Sequence, residues 1–328
     1  MSDTRFDILA MGDAMVDVIA PASEEFLAEH KLPRGSMQLL SPEAADKLYD
    51  AMGVAEEHSG GSAANTMAGV AAMGGKVAFI GQVADDQFGR IFRHDLHALG
   101  VHFDTPPIPG PPPTGRCLIL VTPDGQRTMN TAPGASHELV ASQLDPQLIR
   151  DSAVLYLEGY LFGPEKPRAA MMEAIDIAHG ANRKVAFTLS ESVCIAERRD
   201  PFIDMIQGGG VDLLFCNGEE ARVLTGAPSA EAAMAQLGDH VPLMVVTDGP
   251  NGAMAATSGE TVRIDAAPVD KVVDTTGAGD LFAAGFLFAH CRGAGLEKSL
   301  QTGAIAAAEV ISHYGARPEA DLKELISV

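Results

Sequence analysis

The chain contains no tryptophan, and aromatic residues make up only 5% of it. A site built mainly on aromatic stacking is therefore not advertised. Cysteine is scarce too: Cys117, Cys194, Cys216 and Cys291 lie far apart and form no CxxC pair. That excludes a disulfide framework or a thiolate zinc site, and a reducing cytoplasmic setting is expected. Positive charge is short, with 23 Lys plus Arg against 44 Asp plus Glu and a net charge of −21. Nucleic acids and anionic membrane surfaces need a basic footprint, so neither is an expected partner. No uncharged apolar run reaches the ~18 residues of a membrane span. Met1 to Leu9 carries Asp3 and Asp7 and no long apolar stretch, so no secretory signal is expected. Three phosphate signatures are missing: GxxxxGK[ST], GxGxxG opening a helix, and the paired HRD and DFG of protein kinases. HExxH is missing as well, and the ten histidines are scattered.

What is present is an alternation of two patterns over 328 residues, enough for about two domains or one large domain with an added element. Short apolar runs at Phe6–Ala10, Lys76–Val83, Val154–Leu161, Lys184–Leu189, Val211–Cys216 and Pro242–Thr247 read as buried strands. Asp86–Leu99, Glu165–His179 and Ala230–Leu237 read as helices between them. This predicts a doubly wound α/β fold, its mainly parallel sheet covered by helices on both faces. Two stretches break the rhythm. Residues 20–57 carry no clear strand–helix unit. Thr105–Gly115 is proline-rich and leads into Arg116–Val121, a Pro123-Asp124-Gly125 turn and Gln126–Thr131, a hairpin pattern foreign to a parallel sheet. The expected division is a large domain of residues 1–19, 58–101 and 132–328, and a small β-rich lid of residues 20–57 and 102–131. The alternative for the hairpin is a surface excursion without function.

Three glycine clusters stand at expected helix starts. In Asp274-Thr275-Thr276-Gly277-Ala278-Gly279-Asp280, the N–H groups of residues 277–279 would open a small-residue helix. A helix N-terminus offers free donors and a positive dipole end, an anion site without Lys or Arg. An acid in the first turn is ordinarily a dipole partner; two glycines and two threonines before Asp280 favour function. Ser59-Gly60-Gly61-Ser62 opens an alanine-rich helix with Asn65 one turn in. Close helix packing explains the alanines, but not the paired glycines with the amide. Asn217-Gly218-Glu219-Glu220 follows the fifth expected strand and reads equally well as a helix cap. The sixth ends in Thr247-Asp248-Gly249. Strand C-termini are where doubly wound sheets gather ligands.

Taken in order, these segments resemble the ribokinase (PfkB) family of carbohydrate and nucleoside kinases, from Gly12-Asp13-Ala14-Met15-Val16-Asp17 to Gly315-Ala316-Arg317-Pro318. The resemblance implies a kinase with Asp280 as the base for the acceptor hydroxyl and Gly277, Ala278 and Gly279 as the anion hole. It implies that Asp17, Gly60, Gly61 and Asn65 hold sugar hydroxyls. Asn217 and Glu220 would arrange phosphate, water and Mg²⁺, with Thr247 and Gly249 as nucleotide contacts. Asp274 and Thr276 match monovalent-cation (K⁺) positions. Mg-ATP is the implied co-substrate, and members occur as monomers or homodimers. Arg127-Thr128-Met129-Asn130-Thr131 resembles the lid of adenosine-kinase-like members, which places Arg127 near the phosphates. Tyr160 or Phe162 would stack on a purine, unless both are core residues. Adenosine is the expected acceptor, over ribose, fructose or 2-keto-3-deoxygluconate. A non-catalytic binding module on the same fold is the competing class. A nicotinamide-dependent dehydrogenase is disfavoured by the missing dinucleotide fingerprint.

Overall fold

A computed structural model describes residues 4–326; Met1–Asp3, part of the segment read above for a signal, lie outside them. The strands are β1 Phe6–Met11, β2 Met15–Pro21, β3 Met37–Leu39, β4 Glu56–Gly60, β5 Val77–Ile80, β6 Gly115–Val121 and β7 Arg127–Ala132. They continue with β8 Ser152–Glu158, β9 Lys184–Thr188, β10 Leu213–Asn217, β11 Leu243–Thr247, β12 Ala253–Ala256 and β13 Thr261–Ile264. Among the described residues the larger sheet runs β13-β12-β11-β10-β9-β8-β1-β5. It is parallel from β11 through β5, with β12 and β13 added antiparallel at one edge. Successive side chains of a strand point to opposite faces. Ile8 and Ala10 accordingly join one apolar layer, and Leu9 and Met11 the other. Both layers are roofed by helices, the arrangement expected from strands apolar on both sides.

The small residues of two helices have a packing cause. A Cβ on Gly69 would lie 2.7 Å from Leu281 Cδ1 and 2.8 Å from Ala284 Cβ. Helix Ser62–Ala72 thus lies directly against helix Ala278–His290. Gly285 likewise leaves no room between that helix and Thr302–Gly303 of helix Leu296–Val310. Close contact brings the first turns of the first two helices together, and with them Asn65 and Asp280.

The second sheet runs β3-β7-β6-β2-β4. The expected hairpin is there: β6 and β7 pair antiparallel, ending in Val121 opposite Arg127. Its turn closes by Gly125 N–H donating to Thr122 O (2.8 Å), with Gly125 at φ +84°. The sheet begins at Met15 and includes residues up to Gly60, so it reaches past residues 20–57 at both ends. Residues 20–57 hold regular structure that the sequence reading missed: helices Glu24–Glu29 and Pro42–Ala51 and strands β3 and β4. Ser41-Pro42-Glu43 is an ordinary helix start, the Ser41 hydroxyl accepting from Ala44 N–H at 3.2 Å. Two expected strands end three residues early in the structure. The run from Lys76 stops at Ile80, before Gly81. The run from Val154 stops at Glu158, where a Cβ on Gly159 would collide with Leu189 O and the chain turns into a short helix, Gly159–Phe162.

Candidate active site

Asp280 sits in the first turn of helix Ala278–His290. Its Oδ1 accepts from Ser62 Oγ at 2.6 Å and its Oδ2 from Asn65 Nδ2 at 3.1 Å. Burial pushes its carboxyl above the usual range, while the Ser62 and Asn65 hydrogen bonds and the Arg317 charge pull it back. Asp280 and Asn65, each expected in the site, are hydrogen-bonded to each other; Ser62, beside the paired glycines, was missed.

The turn before Ser62 is shaped by what it must avoid. A Cβ on Gly60 would collide with the Asp17 carboxyl, and one on Gly61 (φ +95°) with Asp13 O. The glycines thus make room for Asp17 and for the bend. Asp17, on β2, is pushed up to about 6 by burial, against the pull of Arg317 and Arg127. Glu158, fully buried at the end of β8, accepts from Asp13 N–H and Ala63 N–H, both at 2.6 Å. It thereby joins the loop after β1 to the turn. Burial and the neighbouring Asp13 raise its carboxyl well above normal. No motif flagged Glu158 for this; an acid closing an apolar strand was the available signal. Asp17, Asn65, Arg127, Thr276 and Arg317 line one cavity of about 1020 Å³, whose lining also includes apolar Ile19, Pro21, Val54, Val121 and Pro123.

At the turn before Asp280, Gly277 (φ +77°) caps the helix, and a Cβ there would lie 2.7 Å from Ala316 Cβ. Helix first turns leave N–H groups without intrahelical partners. Of the three expected donors, Ala278 N–H already reaches Thr275 O at 3.2 Å. Gly279 faces open space. Of the two expected monovalent-cation positions, Asp274 has its carboxylate engaged within the protein. Asp274 Oδ1 accepts from Thr276 N–H (3.1 Å) and Thr276 Oγ1 (2.8 Å). Its Oδ2 accepts from Gly315 N–H (2.9 Å) and meets Arg127 Nη2 at 2.6 Å. A carboxylate offers about four lone-pair sites, and all four are taken. Asp274 therefore does not fit a bound K⁺ in this form; a guanidinium supplies the positive charge instead.

The remaining candidates gather at the strand ends of β10 and β11. Asn217, Thr247 and Gly249 line a second cavity of about 1020 Å³, with Arg222 and Arg263 on its wall. Asn217 and Glu220 form a reciprocal cap: Asn217 Oδ1 accepts from Glu219 and Glu220 N–H, and Glu220 accepts from Asn217 N–H (3.0 Å) and Nδ2 (2.8 Å). Burial pushes Glu220 up to about 7. Each Glu220 oxygen keeps one lone pair, enough to order water around a hydrated divalent ion. Among the described residues no cluster of three or more His, Cys, Asp or Glu is suited to hold a metal.

Tyr160 lies in helix Gly159–Phe162, beside Glu191 and Cys194, and is not among the residues lining the Asp17 cavity. Phe162 is a core residue packed on Phe187 and Phe202. The aromatic that does line the cavity is Tyr314, with the Arg127 guanidinium 5.7 Å from its ring centre. It stands one residue before the Gly315–Pro318 segment of the resemblance, so proximity in sequence was its only signal.

A model of the pfkB family carbohydrate kinases matches residues 37–322. An adenosine kinase from Sinorhizobium meliloti has 44% sequence identity, with 98% of each chain covered and a TM-score of 0.91. A probable sugar kinase protein from Rhizobium etli CFN 42 has 42% identity, 98% coverage of both chains and a TM-score of 0.92. A 5-dehydro-2-deoxygluconokinase from Shouchella clausii is 26% identical, covering 94% of this chain and 91% of that protein. The match over most of the chain, on the fold and order of segments described above, places it: the chain belongs to the pfkB family of carbohydrate kinases, phosphotransferases that act on a hydroxyl acceptor.

Proposed function

We propose that this kinase transfers the γ-phosphoryl group of ATP to the 5′-hydroxyl of adenosine, with Asp280 as the base. The observation that carries it is the place of Asp280, shared between the turn that opens its helix and the Asn65 side of the Asp17 cavity. Phosphoryl transfer needs in-line positioning and neutralised charge on the group in flight. Asp17 and Asn65 hold the acceptor's ribose hydroxyls. Asp280 accepts the proton of the attacking hydroxyl, and Ser62 and Asn65 keep its oxygens aimed. Gly277 and Gly279 N–H groups, with the helix dipole behind them, receive the transferring oxygens. Arg127, held on Asp274, adds a fixed positive charge beside them. Asn217, Thr247 and Gly249 hold the nucleotide, and Glu220 orders water around its divalent ion, which neutralises phosphate charge when bound. The second sheet, with the helices between its strands, acts as a lid, since β2 carries Asp17 and β7 carries Arg127. Closing it excludes water and suppresses ATP hydrolysis. The apolar part of the lining, with Tyr314, gives a base somewhere to lie, and the similarity to a protein described as adenosine kinase favours the same acceptor.

The test is ADP release with Mg-ATP against adenosine, other nucleosides, ribose, fructose, 2-keto-3-deoxygluconate and 5-dehydro-2-deoxygluconate. Adenosine is expected to lead by about 10²-fold in kcat/KM, the scale on which an apolar pocket discriminates. A free sugar in first place would instead align the chain with its fructokinase and 5-dehydro-2-deoxygluconokinase relatives. ATP binding without turnover on any acceptor would favour a binding module. The saturated Asp274 carboxylate gives a further expectation. Replacing K⁺ by tetramethylammonium should change the rate less than about twofold, whereas a true activator couples by ~5-fold or more. Activation of that size would show that Arg127 leaves Asp274 during turnover.

A further inference from the structure

Arg317 belongs to none of the glycine clusters, yet its guanidinium lies at the centre of the site. Its Nη1 donates to Ala64 O at 2.8 Å, and its Nη2 to Ser59 O at 2.7 Å and Ser59 Oγ at 3.1 Å. Those two carbonyls bracket the turn that supplies Ser62 and, one residue beyond Ala64, Asn65. Ser62 and Asn65 in turn hold the two oxygens of Asp280. The segment bearing Arg317 is itself pinned. Gly315 N–H donates to Asp274, and Ala316 fills the space that a side chain on Gly277 would need. Glu309 Oε1 accepts from Glu319 N–H at 2.9 Å and Ala320 N–H at 2.8 Å. One short segment thus touches the turn before Asp280 through its first two residues and the acceptor turn through its third.

The charges around Asp280 give Arg317 a second task. The titratable and charged groups that face Asp280 are Asp17 on β2, Tyr156 and Glu158 on β8, Tyr160 beyond it, and Arg317. Arg317 alone among them is positive. Burial disfavours ionised Asp280, and Asp17 and Glu158 add repulsion when charged. An opposite charge held nearby offsets this. Burial lowers Arg317 itself only to about 10, so it stays charged at neutral pH.

We propose that Arg317 is a positioning residue for the base: it fixes the turn through which Ser62 and Asn65 aim Asp280, and its charge keeps that carboxylate ionised. The inference rests on the reading of Asp280 as base. It requires a guanidinium rather than any hydrogen-bonding side chain, because the fork spans two carbonyls and the charge is part of the function.

The experiment is the pH profile of kcat/KM with Mg-ATP and adenosine or fructose, for the wild type and for Arg317→Gln, Arg317→Lys and Asp280→Asn. In Arg317→Gln the acid limb should move to higher pH, the direction in which losing a nearby opposite charge shifts a carboxylate. Its rate loss should therefore be larger at pH 6 than at pH 8. Arg317→Lys keeps the charge but loses the fork, so kcat should fall while the acid limb stays in place. A folded Arg317→Gln variant whose acid limb superimposes on that of the wild type overturns the proposal. If circular dichroism shows Arg317→Gln unfolded, the lysine variant decides: an acid limb displaced by a full unit overturns it. The asparagine variant separates the two levels of the argument. An inactive Asp280→Asn with an unmoved Arg317→Gln limb removes only the role of Arg317. An active Asp280→Asn removes the base reading and this inference with it.

Discussion

Asp280→Asn should lower kcat by about 10²–10⁴-fold, the contribution of a positioned general base, while the acceptor KM stays near that of the wild type. The structure says why this variant tests chemistry rather than folding. Asn keeps the size of Asp, and its Oδ1 can still accept from Ser62 Oγ. Its new amide would face the amide of Asn65, but Asn65 Oδ1 is buried without a partner. Rotating the Asn65 amide presents that oxygen to the new donor and keeps one hydrogen bond between the two side chains. The charge balance points the same way. Asp280 is raised in the folded protein by burial, so the native state binds a proton more tightly than the unfolded chain. Its contribution to stability is present at low pH and is lost as pH rises through the raised value. At neutral pH the ionised carboxylate therefore weighs against the fold, and the neutral amide removes that cost. The melting temperature of Asp280→Asn at pH 7 should equal or exceed that of the wild type. Turnover within about tenfold of wild type would remove Asp280 from the role of base, since a positioned base typically contributes about 10²–10⁴-fold.

The parts of the fold legible in the sequence were those with a strong local period. Ala230–Leu237 and the hairpin around Pro123-Asp124-Gly125 stand where their patterns put them. Two expected strand ends moved because the chain is bent there by contacts distant in sequence, as at Gly159 against Leu189. Of the site, the glycine clusters were readable because each carries a backbone need: room for Asp17 at Gly60, and a positive φ at Gly61 and Gly277. The roles of Ser62, Glu158 and Arg317 were not readable. Each works through hydrogen bonds that the fold alone brings into range, across 218, 95 and 258 residues. Tyr160 shows a different limit: the motif around it does not say which cavity it lines. It carries the right side chain for stacking on a base, but the helix after β8 sets it among Glu191, Asp280 and Cys194 and leaves it off the lining of the Asp17 cavity.

Gly277→Ala and Gly279→Ala should both cripple the enzyme, for opposite reasons. At Gly277 the obstacle is the protein. The backbone sits at φ +77°, and a Cβ would lie 2.7 Å from Ala316 Cβ and 2.8 Å from its Cα. Positive φ costs an alanine of order 1–3 kcal/mol, and relief requires the turn or the Gly315–Arg317 segment to shift. A displaced turn carries its N–H groups away from the transferring oxygens, and loss of one such donor costs ~10²–10³-fold in kcat. Gly277→Ala should therefore lose both stability and turnover. At Gly279 nothing lies within 4 Å of a Cβ. The position is in a helix, where alanine is favoured over glycine by roughly 0.5–1 kcal/mol. Gly279→Ala should melt at or above the wild-type temperature. If phosphate oxygens approach this backbone during turnover, the added methyl occupies their space, and kcat should still fall by about 10²-fold. A stable and inactive Gly279→Ala would locate the phosphoryl group by the room it needs. A stable and fully active one would mean that the phosphate lies elsewhere, and the anion-hole assignment would have to leave this turn.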